Sequence, residues 1–212
     1  MRKRCRVVLV LIAINTILFG FQSLLPLPLQ AQMIQVFGLS STGLEAGAAW
    51  QFLTHGFLHG GLGHLLFNML SLWFAGREVE WRIGSGRFLL LYILGTLGGG
   101  VLQMAIGQSG VPMIGASGAV FAVLLAFTTI YNEREVYVLL FFIIPLRLKA
   151  KTLGRILVGL TVAAMIFQYP SWIAHAAHLG GAITGYLFTR AAGFGKPTFL
   201  ERWLSRKFQQ QH

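Results

Sequence analysis

Six apolar stretches dominate this 212-residue chain and leave it few soluble solutions. They run over about 7–25, 58–76, 88–105, 115–131, 154–169 and 172–189. Each is long enough, or nearly so, to cross the ~30 Å of hydrocarbon in a bilayer as a helix. Hydrophobic residues make up 55% of the chain and charged residues 11%, against about 25% charged in a soluble domain. Lipid is therefore the expected solvent for much of the surface. The expected fold class is an all-α membrane protein, a six-transmembrane-helix bundle forming one polytopic domain over 1–212. A long loop, about 26–57, joins spans one and two. Its apolar stretch 33–39 and its aromatics Trp50, Phe52 and Phe57 predict a partly helical segment embedded in the outer leaflet.

Charge tests this count. The net charge is +11, from 17 Lys and Arg against six Glu and no Asp. With six spans, every basic residue falls on one side: Arg2, Lys3, Arg4 and Arg6; Arg77, Arg82 and Arg87; Arg134, Arg147, Lys149, Lys151 and Arg155; and Arg190, Lys196, Arg202, Arg206 and Lys207. The opposite loops hold none. The positive-inside rule then makes both termini cytoplasmic. A wrong helix count would scatter these charges, and their confinement to membrane edges removes nucleic acid as the explanation of the net charge. The apolar run Val136–Pro145 covers only ~15 Å as a helix and cannot span; it is expected at the cytoplasmic interface. The basic amino end followed by an apolar run resembles a signal peptide, but no convincing cleavage site follows, so an uncleaved first helix is expected. The single cysteine, Cys5, excludes an intrachain disulfide. Its place at a membrane edge permits palmitoylation, though an unmodified residue is the simpler expectation.

Polar groups inside a membrane are costly and usually functional. Counting about 1.5 Å per residue from the basic edge, Ser117 stands ~25 Å from it, His178 ~18 Å, His64 ~20 Å and Asn68 ~14 Å. Three spans thus carry polar groups into the outer half of the membrane. Ser117 lies in Gly115-Ala116-Ser117-Gly118-Ala119 at the start of the fourth span. Backbone N–H groups at a helix start lack intrahelical acceptors and can bind an oxyanion. The same small-residue run would equally serve as a packing surface. His178 adds weight to the chemical reading. It stands one turn from Gly181 and Gly185, a GxxxG face that lets another helix approach closely. If that helix is the fourth, the imidazole reaches Ser117 and can take its proton. His175 is the competitor, less well in phase with the glycines. His64 and Asn68 share a face at i and i+4; they could complete an oxyanion site or form an interhelical clamp. His55 and His59, with His64, raise a metal reading. The absence of HExxH, with Glu45 the sole acid on that side, favours solvated or interfacial histidines and no metal. Glu80 and Arg82, in Glu78–Gly84, follow span two and could lock the next turn or simply be solvated.

Taken together, HLLFN (64–68), VEWRIG (79–84), GASGAVFA (115–122) and AHLGGAITG (177–185), in this order on six spans, resemble the rhomboid intramembrane proteases in their basic prokaryotic six-helix form. The resemblance covers about 50–190. It implies a serine endopeptidase that cleaves transmembrane protein substrates with a Ser–His dyad, no cofactor and no metal. Ser117 matches the nucleophile and His178 the general base. His64, Asn68 and the Ser117 backbone N–H match the oxyanion site. Phe121 matches an aromatic position that packs on the histidine ring, where Tyr is common. Glu80 and Arg82 match a structural inner-loop pair, and Gly115, Gly118, Gly181 and Gly185 lie within the quoted motifs as supporting residues. The implied partners are transmembrane substrates and membrane lipid, in a prokaryotic cell membrane. Two other classes compete. A non-catalytic relative that binds membrane segments is disfavoured by the intact Ser117/His178 pair. A small transporter is disfavoured because the chain shows no internal repeat and has no Asp anywhere.

Overall fold

The computed structural model describes residues 6–107, 111–140, 144–167, 169 and 173–195. Arg2, Lys3, Arg4, Cys5, Lys196, Arg202, Arg206 and Lys207 lie outside them, as do residues 141–143 of the short apolar run. The described chain is mostly helical. In order come α1 (Arg6–Leu24), α2 (Leu27–Phe37), α3 (Ser41–Glu45), α4 (Gln51–Thr54) and a 3-10 turn (His55–Phe57). Then follow α5 (Leu62–Ser71), a π-helical turn (Leu72–Gly76), α6 (Arg77–Ile83), α7 (Ser85–Ile106) and α8 (Ser117–Ile130). Strands β1 (Glu135–Leu140) and β2 (Ile144–Lys149) precede α9 (Ala150–Phe167) and α10 (His175–Ala191). Three of these helices, α1, α7 and α9, are long and apolar enough to cross a membrane, and α8 is a shorter apolar helix. The outward faces of the helices carry large apolar side chains, among them Ile17, Phe21, Phe74, Val101, Leu160 and Leu187. A surface this apolar is stable only against lipid or another protein.

The bundle centres on α8. Gly118, Ala119, Val120, Ala122, Val123 and Ala126 are all buried, between α7 on one side and α10 on the other. Small residues make this closeness possible. A Cβ on Gly181 would stand 2.0 Å from the Gly118 carbonyl oxygen, and one on Gly185 2.1 Å from that of Ala122. A Cβ on Gly95 of α7 would stand 2.5 Å from the Ala122 Cβ. The three backbones therefore meet with no room for side chains between them, the packing that membrane helices use where hydrophobic burial gives no drive.

Two expectations need correction. First, the second apolar stretch does not end at Gly76. The helix continues through its π turn to Ile83, carrying Glu78–Arg82 in its last turns. Glu80 is buried, at 2% exposure. Its Oε1 accepts from the Val7 N–H at 3.0 Å and from the Ser85 hydroxyl at 2.6 Å; its Oε2 accepts from the Val8 N–H at 2.9 Å. The carboxylate thus satisfies the open amino end of α1 and ties down the turn into α7. It does so without Arg82, whose guanidinium lies over the Phe194 ring at 5.0 Å. The expected Glu80–Arg82 pair is two separate anchors.

Second, the fold is not wholly α. The run from Val136 pairs as an antiparallel hairpin, with Glu135 opposite Lys149 and Val138 opposite Leu146. Val136, Tyr137, Val138 and Ile144 in its strands are β-branched or aromatic, which suits a pleated surface. Ion pairs close its base: Arg147 with Glu135, and Glu133 with both Lys149 and Lys151. Lys151, then Lys149, hold the Glu133 carboxyl down at about 2, from an ordinary 4.5. A depressed folded-state pKa adds stability that is complete above the unfolded value and lost as pH falls towards the folded one. The pairs are exposed and salt screens them. Hydrogen exchange of the hairpin amides, corrected for intrinsic rate, should therefore speed up between about pH 4.5 and 2, and also in high salt at neutral pH. Unchanged protection under both conditions removes Glu133 as the hairpin's anchor.

Candidate active site

Ser117 opens α8, where a helix leaves its first N–H groups without intrahelical acceptors. Its placement depends on the loop before it. Leu39 and Met113 exchange backbone hydrogen bonds of 2.9 and 2.8 Å, and the Gly115 N–H donates to the His55 carbonyl at 2.8 Å. The first loop therefore grips the approach to the serine. That loop is itself packed: the buried Gln51 side chain donates to the Gln35 and Val36 carbonyls and accepts from the Ser40 N–H. Gly115 has φ +128°, in the region that favours glycine. A Cβ there would also stand 2.6 Å from the His64 Cε1. The position needs glycine for its backbone and for the imidazole beside it.

The His178 Nε2 lies 2.8 Å from the Ser117 Oγ. The Phe121 ring, one turn along α8 from Ser117, stacks on the His178 imidazole with centroids 4.4 Å apart and planes at 7°. His175 meets the His178 ring edge-on at 6.1 Å. Both Ser117 and His178 are half-buried, so the pair is reachable from outside the packed core. The amino end of α10 is positioned by Gln103 of α7, whose Oε1 accepts from the Ala177 N–H at 3.3 Å.

His64 comes to the same place from α5. Its Nδ1 accepts, at 3.4 Å, from the Gly60 N–H. That bond leaves the ring proton on Nε2, the atom turned towards Gly115. Counted from Ile83, the true end of its helix, His64 stands about 28 Å along the axis, further than the ~20 Å counted from Arg77. Asn68 is buried one turn lower, and its Nδ2 donates to the His64 carbonyl at 3.1 Å. This bond braces α5 and does not link Asn68 to the serine.

His55 and His59 are not solvated, as the sequence suggests, but 1% and 0% exposed. The loop folds over them. The Gln22 side chain clamps the His59 peptide by donating to its carbonyl at 2.8 Å and accepting its N–H at 3.3 Å. The His59 ring meets that of His64 at 5.1 Å. Among the described residues no cluster of His, Cys or Glu has the arrangement to hold a metal.

Ser117 and His178 are in contact at the start of α8, and the His64 ring lies beside Gly115. The Rhomboid domain model matches residues 46–193. The chain belongs to the rhomboid family. It is 33% identical over 178 residues to "Rhomboid protease GluP" of Bacillus subtilis, covering 82% of this chain and 32% of that protein. It is 34% identical over 188 residues to "RHOMBOID-like protein 2" of Arabidopsis thaliana, covering 79% and 51%. Against "Rhomboid protease GlpG" of Salmonella paratyphi A it is 32% identical over 143 residues, covering 64% and 46%. The matched part thus spans between a third and a half of these relatives. In this rhomboid domain, reading the sequence alone leaves out three contributors. Gln103 and the Glu80–α1 contact act across long stretches of chain. Gly95 and Gly99 of α7, a second small-residue face at i and i+4, carry a signal of the same kind as Gly181 and Gly185.

Proposed function

We propose that this rhomboid protein is an intramembrane serine endopeptidase that cleaves transmembrane protein substrates. The observation that carries the reading is the 2.8 Å contact between the His178 Nε2 and the Ser117 Oγ. In the proposed cycle the Nε2 takes the hydroxyl proton as the oxygen attacks the scissile carbonyl, then gives that proton to the leaving amine. Water next attacks the acyl-enzyme with the same histidine as base, releasing the new carboxyl end and restoring Ser117. The developing oxyanion is held by the His64 Nε2–H and the N–H groups at the start of α8. Phe121 fixes the plane of the general base. Gly115 and Gly118 let a substrate backbone come close.

The membrane arrangement belongs to the same proposal. The chain forms one polytopic domain of six spans: α1, α5 with α6, α7, α8, α9 and α10. Both termini and all 17 basic residues lie on the cytoplasmic side, in a prokaryotic cell membrane. With 14 residues, α8 covers only ~21 Å. Its amino end then lies below the outer surface, where water and an unwound substrate can meet Ser117.

The test is labelling of purified protein by a fluorophosphonate probe. The parent should label, and Ser117→Ala and His178→Ala should not. A folded parent that stays unlabelled, or labels equally without Ser117, would sink the protease reading and leave membrane-segment binding.

A further inference from the structure

At the opposite end of α8 from Ser117, a cavity of about 510 Å³ opens between α8, α9 and α10. Its rim carries Lys151, Arg155 and Arg190, and no carboxylate lines it among the described residues. The Arg190 guanidinium donates to the Phe194 carbonyl at 3.1 Å, which holds it at the rim. Lys151 is held by Glu133 at 2.8 Å. Deeper in, the walls turn apolar, with Leu125, Val158, Gly159 and Tyr186. Along α9 only Ala150, Gly154 and Thr161 are fully buried, and the groove runs beside its first turns, Lys151 to Gly159.

We propose that this cavity is a binding site for an anionic phospholipid of the leaflet on the basic edge. The headgroup phosphate sits among Lys151, Arg155 and Arg190, and one acyl chain runs down the apolar wall between α9 and α10. Three cations at an opening whose described lining holds no carboxylate, with Lys151 shared with Glu133, select a negative group. The apolar continuation selects a lipid over a free anion, which has nothing to place there. The location also fits, because the charged rim lies where the last turn of α10 and the first turns of α9 meet the hairpin. The inference needs the membrane reading of the chain but not the protease reading.

Native mass spectrometry of the full chain tests it, in neutral detergent with equal phosphatidylglycerol and phosphatidylcholine. The protein should retain phosphatidylglycerol in preference by at least about tenfold, since each basic group at a membrane surface contributes roughly a fivefold factor. The triple variant K151Q/R155Q/R190Q should lose that preference. G159W should lose it too with every charge intact, because Gly159 lines the groove and a Cβ there meets nothing within 4 Å, which leaves room for the indole to fill it. R6Q/R87Q, two basic residues away from the cavity, should retain the lipid. Excess inorganic phosphate should leave it bound, and Ser117→Ala should bind it as the parent does, whatever becomes of the dyad. Equal retention of the two lipids overturns the proposal. So does an unchanged preference in both cavity variants, an equal loss in R6Q/R87Q, or displacement by inorganic phosphate, which marks a simple anion site.

Discussion

Replacing His178 by alanine should lower kcat for a transmembrane substrate by about 10⁴-fold, roughly 5 kcal/mol of transition-state stabilisation, with KM nearly unchanged. The reason is the 2.8 Å contact. A serine hydroxyl is a poor nucleophile unless a base takes its proton during attack, and the same group must later protonate the amine. Substrate binding along the bundle does not depend on the imidazole, so the loss belongs to kcat. The double variant Ser117→Ala/His178→Ala should be no slower than either single variant, because a nucleophile and its base act as one unit and their effects do not add. Phe121 provides a graded companion. It touches the ring and not the serine, stacking at 4.4 Å and 7°. Phe121→Ala should cost about tenfold, the scale of one aromatic stacking contact, and Phe121→Tyr should restore the parent rate. Turnover of a quenched transmembrane peptide in proteoliposomes measures all of these. A His178→Ala enzyme that keeps a tenth of the parent rate, or a double variant far slower than both singles, would refute the dyad.

The sequence made the apolar elements and the polar trio legible for one physical reason. Lipid tolerates few polar groups, so Ser117, His178 and His64 stand out against their spans. The Gly181/Gly185 phase adds which face of α10 meets α8. What it left hidden rests on non-local partners. Glu80 reads as a water-facing charge that ends a span, because a carboxylate in isolation must be solvated. Its actual solvation comes from Val7 and Val8, more than 70 residues earlier, and that lets the helix run on to Ile83. The hairpin escaped for a similar reason. A short continuous apolar run does not separate strand from buried helix by period alone, and its pairing depends on Ile144–Lys149. His55 and His59 look like loop histidines until Gln22 and the loop itself close over them. Gly115 reads as one small residue among several, whereas its positive φ and the His64 ring make it irreplaceable.

Alanine at Gly181 should damage both the fold and the chemistry, though the added methyl lies one turn from His178 and touches neither reacting group. Its Cβ would stand 2.0 Å from the Gly118 carbonyl oxygen, 2.7 Å from its carbon and 3.0 Å from its Cα. These are backbone atoms of a helix buried on both sides, so no side chain can turn away. Relief requires α10 to retreat from α8 by more than an ångström. Overpacking of this kind costs about 1–3 kcal/mol, and a lower melting temperature reports it. The retreat also carries His178 away from Ser117, because the two groups ride on the two helices being parted. A displacement near 1 Å at reacting groups costs about 10²-fold in rate, and fluorophosphonate labelling should slow in step. Gly86→Ala is the matched control. It adds the same methyl to α7 where nothing lies within 4 Å, and alanine is the better helix former, so stability and rate should hold or rise slightly. If Gly181→Ala melts and turns over like Gly86→Ala, the glycine junction does not set the dyad distance. If Gly181→Ala alone loses both, the spacing of serine and histidine is fixed by backbone contact between α8 and α10, and the small residues of the junction are part of the active site's construction.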